Sequence, residues 1–332
     1  MKSFEPTYKS IEHVLGALPS KLERLSGGRN NRVFRASHHR LGSVIIKDYF
    51  QESSDSLDRL TREWNYLIHL KKNQISDVPL PLFKDTGNAY AIYSDLKGAK
   101  LSTTSITENH VKKAAQHIVS LSKARTGAIY PAKGMQFTLS GHLDDVHRRM
   151  GQLHEAANNS NKDHPFPKFL RDRLEPLWVM RQEEVEDRNT NKYFEAIDYK
   201  LSPSDFGFHN ILSNQNKLSF IDFEYAGKDD LAKLTTDFML APSVPITRDQ
   251  SHIFCKYLMK HADLDGYFSK RVDILFPIAQ VKWICIILND FIELEDDRKD
   301  FAGQGQKSDR LKQQLALAFL RYSLAIKGAN KT

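Results

Sequence analysis

An aspartate, an asparagine five residues later and a second aspartate closing the next apolar run lie together in the middle of this chain. Residues 202–210 read Ser202-Pro203-Ser204-Asp205-Phe206-Gly207-Phe208-His209-Asn210, and residues 217–224 read Lys217-Leu218-Ser219-Phe220-Ile221-Asp222-Phe223-Glu224. This spacing suits phosphoryl transfer from a metal-bound nucleotide. A loop carboxylate accepts the proton of an attacking hydroxyl, while an amide oxygen on the same loop and a carboxylate from the next strand reach the metal. Magnesium takes hard oxygen ligands and keeps several waters, so two protein oxygens plus phosphates complete a site. Asp205 is therefore the candidate base, and Asn210 and Asp222 are the candidate Mg2+ ligands.

Asp205-Phe206-Gly207 also spells the metal-binding tripeptide of protein kinases, which would turn Asp205 into a metal ligand and place the base upstream. That assignment needs an earlier aspartate with an asparagine five residues on. After Asp187 the asparagine, Asn191, comes at four, and after Asp198 the required place holds Pro203. The tripeptide reading is therefore rejected.

The elements that must position these groups follow from periodicity. Leu22–Leu25, Val33–Ala36 and Ser43–Lys47 read as strands around a glycine- and asparagine-rich turn at 26–31, where such residues tolerate positive backbone angles. A helix is expected from about Ser56 to Lys72, with Leu57, Leu60, Trp64, Leu67 and Ile68 at helical spacing. It carries Glu63, sixteen residues after Lys47; a strand lysine paired with a helix glutamate aims an ammonium at the α- and β-phosphates. Ala89–Tyr93 reads as a strand, broken by Ser94-Asp95-Leu96-Lys97-Gly98, where two lobes would join. Helices are expected at roughly 107–124, 140–158, 165–188, 229–240, 248–262, 271–295 and 308–327. Strands first and helices later fit a two-lobed α+β plan, a nucleotide-binding lobe over 1–95 and a catalytic and acceptor-binding lobe over 96–332.

The 332 residues, 40% of them hydrophobic, suffice for two cores. No bilayer-length apolar run is evident, the most apolar stretch being Trp283–Leu288, and residues 1–10 lack the apolar core of a signal peptide. Cys255 and Cys285 offer neither a disulfide framework nor metal-ligand spacing, so the expected setting is reducing and cytoplasmic, without a membrane. The formal charge of +7 is spread among 41 acidic residues without basic-aromatic clusters, which argues against nucleic acid and leaves an anionic substrate such as ATP.

With these residues in view, the chain resembles the aminoglycoside phosphotransferase and choline kinase-like family, small-molecule relatives of protein kinases. Gly27-Gly28-x-Asn30-Asn31-x-Val33-Phe34-Arg35 is similar to that family's nucleotide loop. Arg62-Glu63-x-x-x-Leu67 resembles its first helix, and Leu96-x-Gly98-x-x-Leu101 its motif after the hinge. Asp205 to Asn210 and Ile221-Asp222-Phe223-Glu224-Tyr225-Ala226-Gly227 match its catalytic and metal segments. The likeness covers about residues 20–240. It implies a bilobal protein kinase-like fold, a small β-rich lobe with one helix over a larger, mainly helical lobe. It further implies adenine near Ser94, Asp95 and Leu96, and transfer from ATP (or GTP) with Mg2+ to a small hydroxylated acceptor such as a sugar or amino alcohol.

Two departures stand out. The family usually has His-Gly before its catalytic aspartate; here Pro203-Ser204 stand there, so the loop is expected to hold its shape through proline rigidity. The family also places an acid four residues after the aspartate of a Gly-Asp-Pro segment, where Asp229 and Asp230 here lead to Lys233 and Leu234. The altered loop motivates an alternative, a nucleotide-binding regulator without transfer. A protein kinase is a third reading, opposed by the missing activation-loop signature after Asp222. A Ser–His–Asp triad finds no support. His209 is read as packed or solvated, His142 and His147 as ordinary polar residues. Val281–Asp297 reads as a buried apolar helix with a solvated acidic end at Glu293, Glu295, Asp296 and Asp297.

Overall fold

The computed structural model describes residues 12, 21–25, 31–50, 55–160, 164–186, 190–292 and 307–329. An antiparallel sheet of five strands opens the chain: β1 (Lys21–Leu25), β2 (Asn31–His38), β3 (Gly42–Tyr49), β4 (Pro81–Asp85) and β5 (Tyr90–Ser94), in the order β1-β2-β3-β5-β4. Period-two alternation assigns its faces. Phe34, Ala36, Val44, Ile46, Tyr90 and Ile92 form a small cluster on one side, which leaves Lys47, Tyr49 and Tyr93 on the other. Lys47 pairs with Val33 on β2 and Ala91 on β5, in the centre of the sheet.

Helix α1 (Asp55–Lys72) packs beside β3 and β4. Leu60, Leu67 and Leu70 are buried on it, and Glu63 lies three residues after Leu60 and four before Leu67. Helical geometry therefore puts the glutamate on the buried stripe.

After the short β6 (Ala99–Lys100) the chain is mainly helical: α2 (Glu108–Lys123), α3 (Leu139–Asn158), α4 (Pro165–Phe169), α5 (Glu175–Glu186), α6 (Leu231–Leu240), α7 (Arg248–His261), α8 (Phe268–Ile287) and α9 (Lys307–Ala329). These match the expected helices, except that a π-helical turn at Leu170–Leu174 interrupts the 165–188 helix and that the helix expected over 271–295 ends at Ile287, followed by a 3₁₀ turn at Leu288–Phe291. Their starts are chemically marked. Thr107, Thr138, Asp230 and Thr247 each accept a backbone N–H of the first turn of the helix that follows.

The segment Phe268–Phe291 is long and apolar enough to cross a membrane by length and composition, which the sequence reading did not anticipate. Half of its most apolar window is nevertheless buried, and α8 packs on α3, α6 and α9. The acidic residues 293–297 lie outside the described residues.

Two small ladders carry the catalytic segments. β7 (Lys200–Ser202) pairs with β10 (Gly227–Asp229), and β8 (Ile211–Asn214) forms a hairpin with β9 (Lys217–Phe220). Gly227 is required where it stands: a Cβ there would lie 2.4 Å from the Tyr130 carbonyl oxygen, because the 130–132 segment crosses directly over β10. That crossing is fixed by Lys228 N–H donating to Tyr130 O (2.8 Å) and Ala132 N–H to Lys228 O (2.9 Å).

Candidate active site

Lys47 Nζ lies 2.7 Å from Glu63 Oε2, so the pair inferred from spacing is formed. The same ammonium meets Asp222 Oδ1 at 2.5 Å and Glu224 Oε2 at 3.6 Å. Burial alone would lower the Lys47 pKa, but Asp222, Glu63 and Glu224 outweigh it and hold it well above the ordinary value. Glu63 is pushed up, by burial first and by Asp222 further, with Lys47 opposing.

Glu63 holds more than the lysine. Its Oε2 also accepts the Tyr49 hydroxyl (2.6 Å), and Tyr49 in turn meets Tyr93 Oη at 2.9 Å. Its Oε1 accepts Phe223 N–H at 3.2 Å, directly after the candidate metal ligand. One buried carboxylate thus ties the central strand, the helix and the Asp222 segment together. Asp222 itself has φ +69°, the left-handed region that non-glycine residues rarely enter. Such strain persists where surrounding contacts enforce it, and here the Glu63 and Lys47 bonds flank the residue.

Glu224 was missed by the sequence reading. It is buried, accepts Asn31 Nδ2 at 2.5 Å, and lies 3.8 Å from Arg59 Nη1. Asn31, expected in the nucleotide loop, therefore spends its amide on the metal segment. The only signal in the sequence was a second acid two residues beyond Asp222, which no periodicity marks as buried. Gly27, Gly28 and Asn30 lie outside the described residues.

The hinge residues are placed as follows. Ser94 donates its N–H to Leu80 O (2.9 Å), and Leu80 N–H donates to Ser94 Oγ (2.8 Å). The Asp95 carboxylate is taken by Arg35 (2.9 Å) and Ser43 Oγ (2.6 Å), and Leu96 is half-buried.

In the catalytic loop, Asn210 Nδ2 donates to the Asp205 carbonyl (3.1 Å) and to Asp205 Oδ2 (3.3 Å). The base and the amide expected to work together are thus in contact. His209 corrects the sequence reading: its Nε2 lies 3.1 Å from Asp205 Oδ1, so it is neither merely packed nor solvated. Its Nδ1 is buried without a partner. The Nε2–H tautomer fits this arrangement, since it donates to the carboxylate and leaves only an acceptor unsatisfied. Gly207 makes the room, because a Cβ there would come within 2.7 Å of the His209 ring.

The Pro203-Ser204 departure also acquires a geometry. Asp205 N–H donates to Pro203 O (2.9 Å), closing a three-residue turn in which Ser204 has φ +65°. Ser204 N–H donates to Ser202 Oγ (3.1 Å), and Ser204 Oγ to Lys133 O (3.3 Å). The loop is held by these bonds together with the proline. Behind it, the His117 ring stacks on Phe220 at 3.8 Å and donates its Nδ1–H to Asp77 Oδ2 at 2.9 Å, supporting the strand that leads to Asp222.

A five-stranded antiparallel lobe, a helical lobe and a lysine–glutamate–aspartate cluster between them define a protein kinase-like phosphotransferase. A model of the phosphotransferase enzyme family matches residues 21–249, and the chain belongs to that family. Among solved structures it is similar to an aminoglycoside 2′-phosphotransferase IIIa in complex with GDP (TM-score 0.65, 16% identity, 99% of each chain covered). It is likewise similar to a gentamicin complex of aminoglycoside phosphotransferase (2″)-IIa (TM-score 0.64, 12% identity, 96% of this chain and 97% of that one). A third similar structure is choline kinase from Cryptosporidium parvum (TM-score 0.56, 16% identity, 98% and 100%). No curated protein sequence matches significantly.

Proposed function

We propose that this phosphotransferase moves the γ-phosphoryl group of ATP or GTP to a hydroxyl of a small molecule, with Asp205 as base and Mg2+ held by Asn210 and Asp222. The observation that carries the reading is the contact of Asp205 with Asn210 in one loop, beside a Lys47–Glu63 pair that reaches Asp222.

The residues fit a metal. Asn210 spends its amide nitrogen on Asp205, and its Oδ1 accepts no hydrogen bond among the described residues. Carboxylate oxygens of Glu63, Asp222 and Glu224 lie within 4.8 Å of one another, a hard-oxygen set of the kind magnesium prefers. Held by Asn210 and Asp222, magnesium would neutralise charge on the phosphate oxygens.

Each side chain then has a defined task. Lys47, held by Glu63, turns from Asp222 toward the α- and β-phosphates. The Ser94–Leu96 backbone and the 26–31 loop, with Gly27, Gly28, Asn30 and Asn31, hold the nucleotide. Asp205 takes the proton of the acceptor hydroxyl, and His209 orients that carboxylate through Oδ1 while Asn210 contacts Oδ2.

The test is a mass-spectrometric search of a metabolite extract, treated with protein and MgATP, for gain of one phosphoryl group. Wild-type protein is expected to give a product that Asp205→Ala does not, while both keep a nucleotide-induced thermal shift. A thermal shift without product on any acceptor would establish the regulator instead, and equal turnover by Asp205→Ala would remove Asp205 as base.

A further inference from the structure

The C-lobe contains a cavity walled in part by Gly134, Gln136, His142, Asp145, Lys233 and Lys282. It is small, with room for about one water-sized group. It adjoins the catalytic loop. Lys133, next to Gly134 on its rim, accepts Ser204 Oγ at 3.3 Å and donates its N–H to Tyr225 O at 3.0 Å. Ser204 immediately precedes Asp205, and Tyr225 follows Asp222 by three residues.

The polar wall is rich in donors. Lys282 Nζ is bonded to Asp237, and Lys233 Nζ to Asp229 (2.7 Å) and Asp237 (3.4 Å), so each ammonium has at least one further N–H to give. His142 is buried, and its Nε2 has no partner. Asp145, the carboxylate on the wall, is already occupied by Arg148 (2.6 Å) and Arg149 (3.0 Å).

Burial shifts two groups on this wall. Burial lowers the His142 pKa to about 3, and the charges of Lys282 and Lys233 push in the same direction. Burial also lowers Lys282, with Lys233 and Arg149 adding to it against Asp237. Burial drives both groups toward their neutral forms, whereas Asp229 and Asp237 outweigh burial at Lys233 and hold it above its ordinary value. With Asp229 and Asp237 taken by the lysines and Asp145 by the arginines, the groups on this wall with bonds left to make are donors.

We propose that this cavity receives an anionic oxygen of the acceptor, from a carboxylate or phosphate group held by Lys282, Lys233 and His142, so that the acceptor is a hydroxylated acid. The inference rests on the phosphoryl-transfer reading above. It separates this chain from its structural relatives, since gentamicin and choline both carry cationic nitrogen. A cation placed here would face two buried ammonium groups.

A metabolite extract separated by ion exchange into anionic, neutral and cationic fractions tests it, each fraction being treated with full-length protein and MgATP. The expected product arises from the anionic fraction. The Asp237→Asn/Lys282→Met double variant, which leaves neither partner alone, is expected to raise KM for that acceptor at least about tenfold while changing kcat less than about threefold. Product confined to the neutral or cationic fractions overturns the proposal. No product from any fraction sinks the phosphoryl-transfer reading, and bromide then decides the cavity separately. Bromide-soaked wild-type crystals are expected to show an anomalous peak among Lys282, Lys233 and His142 that the double variant lacks. No peak in the wild type overturns the anion site.

Discussion

Two buried charge clusters, one between the lobes and one inside the C-lobe, use similar residues for opposite ends. Between the lobes, Lys47 and Arg59 face three carboxylates, Glu63, Asp222 and Glu224, and Asp222 remains 38% exposed. Carboxylate is in excess there and one side is open, which suits a cluster that admits a cation and releases its lysine to phosphates. Inside the C-lobe, Lys233 and Lys282 face Asp229 and Asp237, all nearly inaccessible. Charge there is matched pair by pair. The number of carboxylates per ammonium, and not burial alone, separates the proposed metal site from the proposed anion site.

The comparison can be broken in steps of decreasing size. Asp205→Ala removes the proposed proton acceptor beside the first cluster and is expected to slow transfer by roughly 10²–10⁴-fold with nucleotide binding kept, read as kcat alongside a nucleotide titration. Asp237→Ala strips the shared carboxylate from the second cluster and leaves two buried ammonium groups less compensated. Breaking a buried pair in this way costs about 3–5 kcal/mol, to be measured by urea unfolding, and Lys282→Met on the same background should recover part of the loss.

His209→Ala frees Asp205 Oδ1 and is expected to lower kcat on the order of tenfold with KM nearly unchanged, since orientation and not binding is lost. Partial rescue by added imidazole would separate this positioning role from a structural one. His142 provides the smallest test, through pH. Its folded pKa of about 3 lies below the ordinary 6.5, so below 6.5 the unfolded chain binds a proton that the folded chain does not. Stability from this group is complete above 6.5 and is lost as pH falls toward 3, by up to about 1.4 kcal/mol per pH unit. His142→Gln should flatten the decline in unfolding free energy between pH 7 and 5 relative to wild type.

Much of the first cluster was legible before folding, because its members sit at spacings that local geometry enforces. Lys47 alternates with buried Val44 and Ile46 on a strand, Glu63 shares a helical stripe with Leu60 and Leu67, and Asn210 follows Asp205 within one loop. Glu224 and His209 escaped for a common reason. The burial of Glu224 depends on Asn31 and Arg59, 193 and 165 residues away along the chain, and the direction of His209 depends on the missing Cβ of Gly207.

The amino-acid sequence by itself determined the order of strands and helices, the Lys47–Glu63 pair and the Asp205, Asn210 and Asp222 set, since periodicity and short-range spacing act within a few residues. Only the tertiary structure decided that Lys233 and Lys282, nearly fifty residues apart, meet on Asp237 beside a neutral His142. Long-range electrostatics depends on which helices pack together, and three separate helices, α3, α6 and α8, had to converge before that cavity existed.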